Sequence, residues 1–116
     1  MNHTIGNFVL QNGAMLPEAI IAYDSWGRLA PDGRNAVLVT HGFTSNHHAA
    51  GTTHSSDDTT GWWDALIGPG RAIDTSRFFV LSSNMLGSSF GSTSPASVDP
   101  RTGKRPHAVV QLRQDN

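Results

Sequence analysis

Cysteine is missing from all 116 residues, which excludes disulfides and thiolate metal sites and leaves the redox compartment open. Charge is sparse as well: 15% of residues are charged, and they nearly cancel to a net −1. That balance builds neither a basic stripe for nucleic acid nor a polybasic patch for an anionic bilayer, so neither is expected as a partner. No apolar run approaches the ~20 residues needed to span a membrane. The opening MNHTIGNFVLQNG has no basic start followed by a long apolar stretch, so no secretory signal is visible and a cytoplasmic location is expected. Helical periodicity is also scarce. A chain this short, with 37% hydrophobic residues, reads as one small soluble domain or part of a larger one.

What the sequence does contain is strand-like segments separated by turn residues. Phe8, Val9 and Leu10 form a short strand candidate closed by the Asn12-Gly13 turn signal. Residues 19–23 form a second, and the two are expected to pair as a hairpin across residues 13–17. The RLAPDGRN cluster at 28–35 is a turn. Ala36-Val37-Leu38-Val39-Thr40 is then continuously apolar and rich in β-branched residues. Runs without alternation mark strands covered on both faces, as in the middle of a parallel sheet. Residues 78–81 match it. The long stretch between these strands is expected to be a crossover, with one or two helical turns over residues 60–67 stopped by Gly68-Pro69-Gly70. The remainder, residues 41–59, is rich in Gly, Ser, Thr, His and Asp, a composition that suits a functional or unstructured loop.

Two places carry chemical signals. The first is Thr40-His41-Gly42-Phe43-Thr44, at the end of the first core strand. Ligands of open α/β sheets bind beyond the carboxyl ends of strands, and a His-Gly turn there is how some serine hydrolases present an oxyanion-hole donor. A glycine in that turn lets the backbone approach a substrate closely. A plain tight turn is the competing reading. The second is Gly87-Ser88-Ser89-Phe90-Gly91, which fits the G-x-S-x-G pattern and follows a strand. A nucleophile elbow requires a helix directly behind its serine. Residues 92–103 contain Pro95 and Pro100 and no helical period, so Ser89 reads as a loop residue.

The blocks AYDSWGRLAPDGRNAVLVTHGFTSNHHAAG (22–51) and GWWDALIGPGRAIDTSRFFVLSSNMLGSSFGSTSPASVDPRTGK (61–104) together resemble the N-terminal portion of homoserine O-acetyltransferases. The Gly-Trp-Trp segment followed by Ile-Gly-Pro-Gly and Ile-Asp-Thr is a specific combination. The resemblance implies an α/β fold: the N-terminal part of an α/β-hydrolase domain, mostly parallel with an N-terminal β-hairpin, and incomplete within residues 1–116. It implies that Phe43 supplies a backbone N–H to the oxyanion hole, and that residues 86–93 are a glycine-rich loop. By the same resemblance the nucleophilic serine, the acid, the histidine and an active-site arginine all fall beyond Asn116. The implied parent enzyme moves an acetyl group from acetyl-CoA to the homoserine hydroxyl through a serine acyl-enzyme, in methionine biosynthesis. It carries no bound cofactor or metal and works as a homodimer. Alternatives are an esterase or serine O-acyltransferase on the same fold, or a non-catalytic truncated product. The sequence departs from the family in Gly42-Phe43, in Ser45-Asn46 and in GSSFGSTSP, which puts substrate preference in question.

Other constellations have plainer readings. His41, His47, His48 and His54 with Asp57 and Asp58 match no metal-ligand spacing and read as a polar surface loop. Trp62 and Trp63 read as core packing with partial exposure. Arg101, Lys104 and Arg105 form a solvated cationic patch, with a weaker alternative as a site for a coenzyme A phosphate. Val109 and Leu112 bracket a possible further strand, with Arg113 near a helix start.

Overall fold

The computed structural model describes residues 1–52 and 59–105. Val109, Leu112 and Arg113 lie outside the described residues, as do His54, Asp57 and Asp58. The chain forms β1 (Asn2–Val9), β2 (Met15–Trp26), β3 (Ala36–Thr40), β4 (Ile67–Gly68), β5 (Ile73–Asp74) and β6 (Phe79–Ser83). The main sheet has the order β1-β2-β6-β3, and β4 pairs with β5 in a small second sheet.

The hairpin forms, with longer arms than the sequence suggests. Its turn lies over residues 10–14, closed by Leu10 N–H to Ala14 O at 2.8 Å, and Val9 pairs with Met15. Asn12-Gly13 thus sits in the turn, with Gly13 at φ 83°. Pro17 is inside β2. Register slips there, because Gly6 pairs with Ala19 while Phe8 pairs with Leu16. Proline has no N–H to give to a ladder, and the extra residue is absorbed by Glu18 at φ 44°, forming a bulge.

β6 joins the two halves. It runs antiparallel to β2, with Trp26 opposite Val80 and Asp24 opposite Ser82, and parallel to β3, with Val37 opposite Val80 and Val39 opposite Ser82. This arrangement is the start of an α/β-hydrolase sheet: an antiparallel hairpin feeding a parallel pair. The parallel pair demands a crossover, and residues 41–78 supply it. Val39, Ala49, Ala50, Ile67 and Val80 make the buried core, flanked by Trp26, Val37, Ile73 and Phe78. Gly61 allows the two arms of the crossover to touch. A Cβ at this position would collide with the backbone of Ala49 and Ala50.

Two expectations are corrected here. The crossover carries no helix among the described residues. Residues 62–66 are hydrogen-bonded turns, with Leu66 N–H and Ile67 N–H both donating to Trp63 O, and Ile67 at once enters β4. Gly68-Pro69-Gly70 stops the turn before an amphipathic face can form. β3 is also not buried on both faces. Val39 is 5% exposed, but Leu38, on the opposite face, is 62% exposed. The crossover covers one face only, so the apolar run is half used.

Core and bare faces should therefore respond differently to truncation. Val80→Ala is expected to cost about 2 kcal/mol, from lost methyl burial plus a cavity. Leu38→Ala should stay within about 0.5 kcal/mol and reduce self-association. Urea unfolding and sedimentation of both variants check this.

Candidate functional site

The carboxyl ends of β3 and β6 lie side by side, and the loops leaving them are tied together. After Thr40, the His41 ring is 8% exposed. Its Nδ1 lies 2.9 Å from the Gly42 carbonyl, and its Nε2 accepts the Met85 N–H at 3.2 Å. A carbonyl can only accept and a backbone N–H can only donate, so these partners define the tautomer with the proton on Nδ1. His41 thereby pins the loop after β6 to the loop after β3.

The next four residues form a turn closed by Ser45 N–H to Gly42 O at 3.1 Å, with Thr44 at φ 67°. The Phe43 ring is 93% exposed. Among the described residues neither the Phe43 N–H nor the Thr44 N–H donates to a protein acceptor. Gly42 is not required for a close approach within these residues, since a Cβ there would meet nothing within 4 Å.

Beside this turn opens a cleft of about 880 Å³, walled by Asp24, Thr44, His47, His48, Trp62 and Phe90. Asp24 is its hub. His48 Nδ1 donates to the Asp24 carboxylate at 3.1 Å, and His47 Nε2 stands 4.0 Å from the same oxygen. His48 Nε2 faces the carbonyls of Gly51 at 3.1 Å and Thr59 at 3.2 Å. All three partners of that ring are acceptors. Burial lowers the proton affinity of His47, against the opposing pull of the Asp24 carboxylate and the nearby Asn84 amide. His47 Nδ1 and Asn84 Oδ1 are buried without a hydrogen bond within ordinary limits, so the Asn84 influence is the weaker one.

The sequence-derived candidates are distributed unevenly around this cleft. Phe43 does not line it but immediately precedes Thr44, which does, and His47 and His48 line it. His41 and His48 are engaged by protein partners through both ring nitrogens, and no group of three or more His, Cys, Asp or Glu among the described residues is placed to hold a metal ion. Ser89 is exposed, well past the end of β6 at Ser83, and bends and turns follow it with no helix, unlike an elbow serine. Trp62 and Trp63 are not core residues. They pack on one another at 5.1 Å between ring centres, 36% and 42% exposed, and Trp62 Nε1 donates to Asn46 O at 3.0 Å. Arg101 is not a free cation, because Asp99 pairs with it at 3.1 Å. Asp24 is a site residue that sequence reading misses, although an acidic residue inside the apolar run AIIAYDSW is a usable signal for it. Thr44 belongs to the strand-end segment that the sequence marks, but nothing in the sequence gives its left-handed conformation.

These features, a strand-end turn with free N–H groups over a cleft at the carboxyl edge of a mixed sheet, are those of the α/β-hydrolase class. No family model matches the chain. Over 96 residues it is 52% identical to the homoserine O-acetyltransferase of Geobacter sulfurreducens, covering 83% of this chain and 26% of that protein. It is 47% identical to the homoserine O-succinyltransferase of a Janthinobacterium species over 83% of this chain and 25% of the relative. The chain is thus homologous to the N-terminal part of the homoserine O-acetyltransferase family, and spans about a quarter of the length of the curated relatives it matches. The structure of homoserine O-acetyltransferase from Bacillus anthracis superposes with a TM-score of 0.77 at 33% identity, over 90% of this chain and 30% of that one. Esterase E22 superposes equally well, with a TM-score of 0.78 at 32% identity and the same coverage. No helix among the described residues is long and apolar enough to cross a membrane.

The titrating groups predict a two-stage response to acid. Burial lowers the folded-state pKa of His47, so the unfolded chain binds more protons below its ordinary pKa of about 6.5. Stability from this source is complete above that pH and is lost as pH falls through the folded value. Asp64 is held low chiefly by the Gly51 N–H, Asp74 by the Ser76 side chain and Asp99 by Arg101. Their contribution persists above about pH 4 and disappears below it. Urea midpoints should fall between pH 7 and 5 and again below pH 4. In His47→Ala the first fall should flatten while the second remains.

Proposed function

We propose that this chain supplies the first oxyanion donor of an acyltransferase that acetylates the hydroxyl of homoserine. The observation that carries this reading is the unpaired Phe43 N–H in the turn after β3, beside the cleft, in a chain half identical to homoserine O-acetyltransferases. In the proposed reaction a serine outside these residues attacks the thioester carbonyl of acetyl-CoA. Negative charge develops on the carbonyl oxygen, where a fixed N–H stabilises it. The coenzyme A thiol leaves with a proton, and the homoserine hydroxyl then attacks the acyl-enzyme and regenerates the serine. The Phe43 ring points to solvent, so the residue acts through its backbone. Acetyl-CoA is a consumed substrate in this scheme, and no bound cofactor takes part. The scheme further assigns the enzyme to methionine biosynthesis in the cytoplasm, as a homodimer, from kinship with the acyltransferases.

A second reading has its own support. The superposition on an esterase matches that on an acetyltransferase, and water replacing homoserine would make the same site a hydrolase. The succinyl relative likewise keeps succinyl-CoA as an alternative donor.

Residues 1–105 grafted onto the remaining length of the Geobacter sulfurreducens enzyme test these readings directly. The graft should consume acetyl-CoA in the presence of homoserine, with slower succinyl-CoA turnover and slower ester hydrolysis; a preference for hydrolysis would overturn the transferase assignment. In that graft Phe43→Leu should retain the acylation rate, while Phe43→Pro, which deletes the N–H, should slow it on the order of 10²-fold. Ser89→Ala should change turnover by less than about tenfold, since a triad nucleophile would cost far more. Pre-steady-state acylation measurements distinguish all three.

A further inference from the structure

Only two non-glycine residues among those described adopt a left-handed backbone, Glu18 at φ 44° and Thr44 at φ 67°. Glu18 has a local reason, the bulge beside Pro17, where its N–H reaches Asn7 Oδ1 at 3.4 Å. Thr44 has none. Hydrogen-bonded turns with φ > 0 at the third position normally place glycine or asparagine there, and a β-branched residue at such a φ is an outlier that its surroundings must enforce. The Thr44 hydroxyl and N–H make no hydrogen bond among the described residues, and the Phe43 ring is in solvent, so neither side chain repays the strain.

The enforcement comes from both ends of the turn. On the entry side, His41 holds Gly42 O and Met85 N–H. On the exit side, Asn46 accepts from His48 N–H at 2.8 Å through its side chain and from Trp62 Nε1 through its carbonyl. Between these clamps the left-handed well open to threonine is small, whereas glycine has a broad range of φ and ψ. Thr44 therefore holds the Ser45 N–H on the Gly42 carbonyl more narrowly than glycine would, and that carbonyl shares its rigid peptide plane with the Phe43 N–H.

Resting on the acyl-transfer reading above, we propose that Thr44 is a positioning residue: its strained backbone restricts the turn so that the Phe43 N–H is held in one orientation at the cleft. The role belongs to the backbone and the presence of a Cβ, and the hydroxyl has no part in it.

Three substitutions in the grafted enzyme test this. Thr44→Val keeps the branching and should keep kcat within about twofold. Thr44→Asn, which tolerates the left-handed region, should raise the thermal midpoint and keep kcat within about threefold. Thr44→Gly should raise the midpoint but lower kcat about tenfold, with the homoserine KM unchanged. A tenfold loss in Thr44→Val would assign the effect to the hydroxyl and overturn the proposal. So would wild-type kcat in Thr44→Gly, a matching fall in Thr44→Asn, or a shift confined to KM. An unsubstituted graft without acyltransferase activity would instead overturn the functional reading. The rise of the Thr44→Gly midpoint in the 116-residue chain would then still decide whether the turn is strained.

Discussion

Pairing of β6 with two different partners is the constraint on which everything else depends. β2 reaches it antiparallel and β3 parallel, and Val80, fully buried, sits between Trp26 and Val37 in the middle of that ladder. A two-residue turn can join antiparallel strands, but a parallel pair needs a long return path. That requirement places the described part of the crossover, residues 41–52 and 59–78, across one face. It also brings the two loop origins, after Thr40 and after Ser83, to the same edge. The cleft exists because both loops must leave from there.

Along the covered face the chemistry changes abruptly from one row to the next. The row Trp26, Val80 and Val37 is apolar and packs on Ile73, Phe78 and the core alanines. The following row is Asp24, Ser82 and Val39, with Asn84 beyond it, and Ser82 and Asn84 are both essentially buried. Buried polar groups in that position are costly unless they are organised. Here they are partly organised by a connected set: Asn84 Nδ2 meets Ser88 Oγ, and Ser92 Oγ donates to Asn84 O and accepts from Ala22 N–H. Asp24 gathers two histidines from the opposite loop. Polarity is thus concentrated at one sheet edge, over a hydrophobic row.

Much of this layout was legible in the residues. Asn12-Gly13, the unbroken 36–40 run and the 78–81 run announced hairpin and core strands, because turn chemistry and β-branching act locally. The absence of a helix behind Ser89 was readable for the same reason, as Pro95 and Pro100 act on their own segment. The helical turn expected at 60–67 did not extend, since Trp63 O takes both following amides and Ile67 is captured by Ile73 in a pairing that local propensity does not contain. The tryptophan pair was misplaced because adjacency along the chain does not say which surface is left to cover.

Sequence alone determined the existence of the hairpin, the two core strands and the kinship with homoserine acyltransferases, properties carried by near neighbours and by residue order. It also placed Phe43 at a strand end. Only the tertiary structure decided that Leu38 lies on an uncovered face, that Asp24 receives His47 and His48, and that Thr44 is forced into a left-handed turn. Each of these depends on groups distant in the chain: one packed face, a carboxylate on β2 meeting a loop after β3, and a turn clamped by Met85 and Trp62. Hydrophobic pattern records how much a residue prefers burial, and backbone strain is imposed from outside the residue that bears it. For that reason the least legible residue of the site, Thr44, is the one whose conformation its own side chain disfavours.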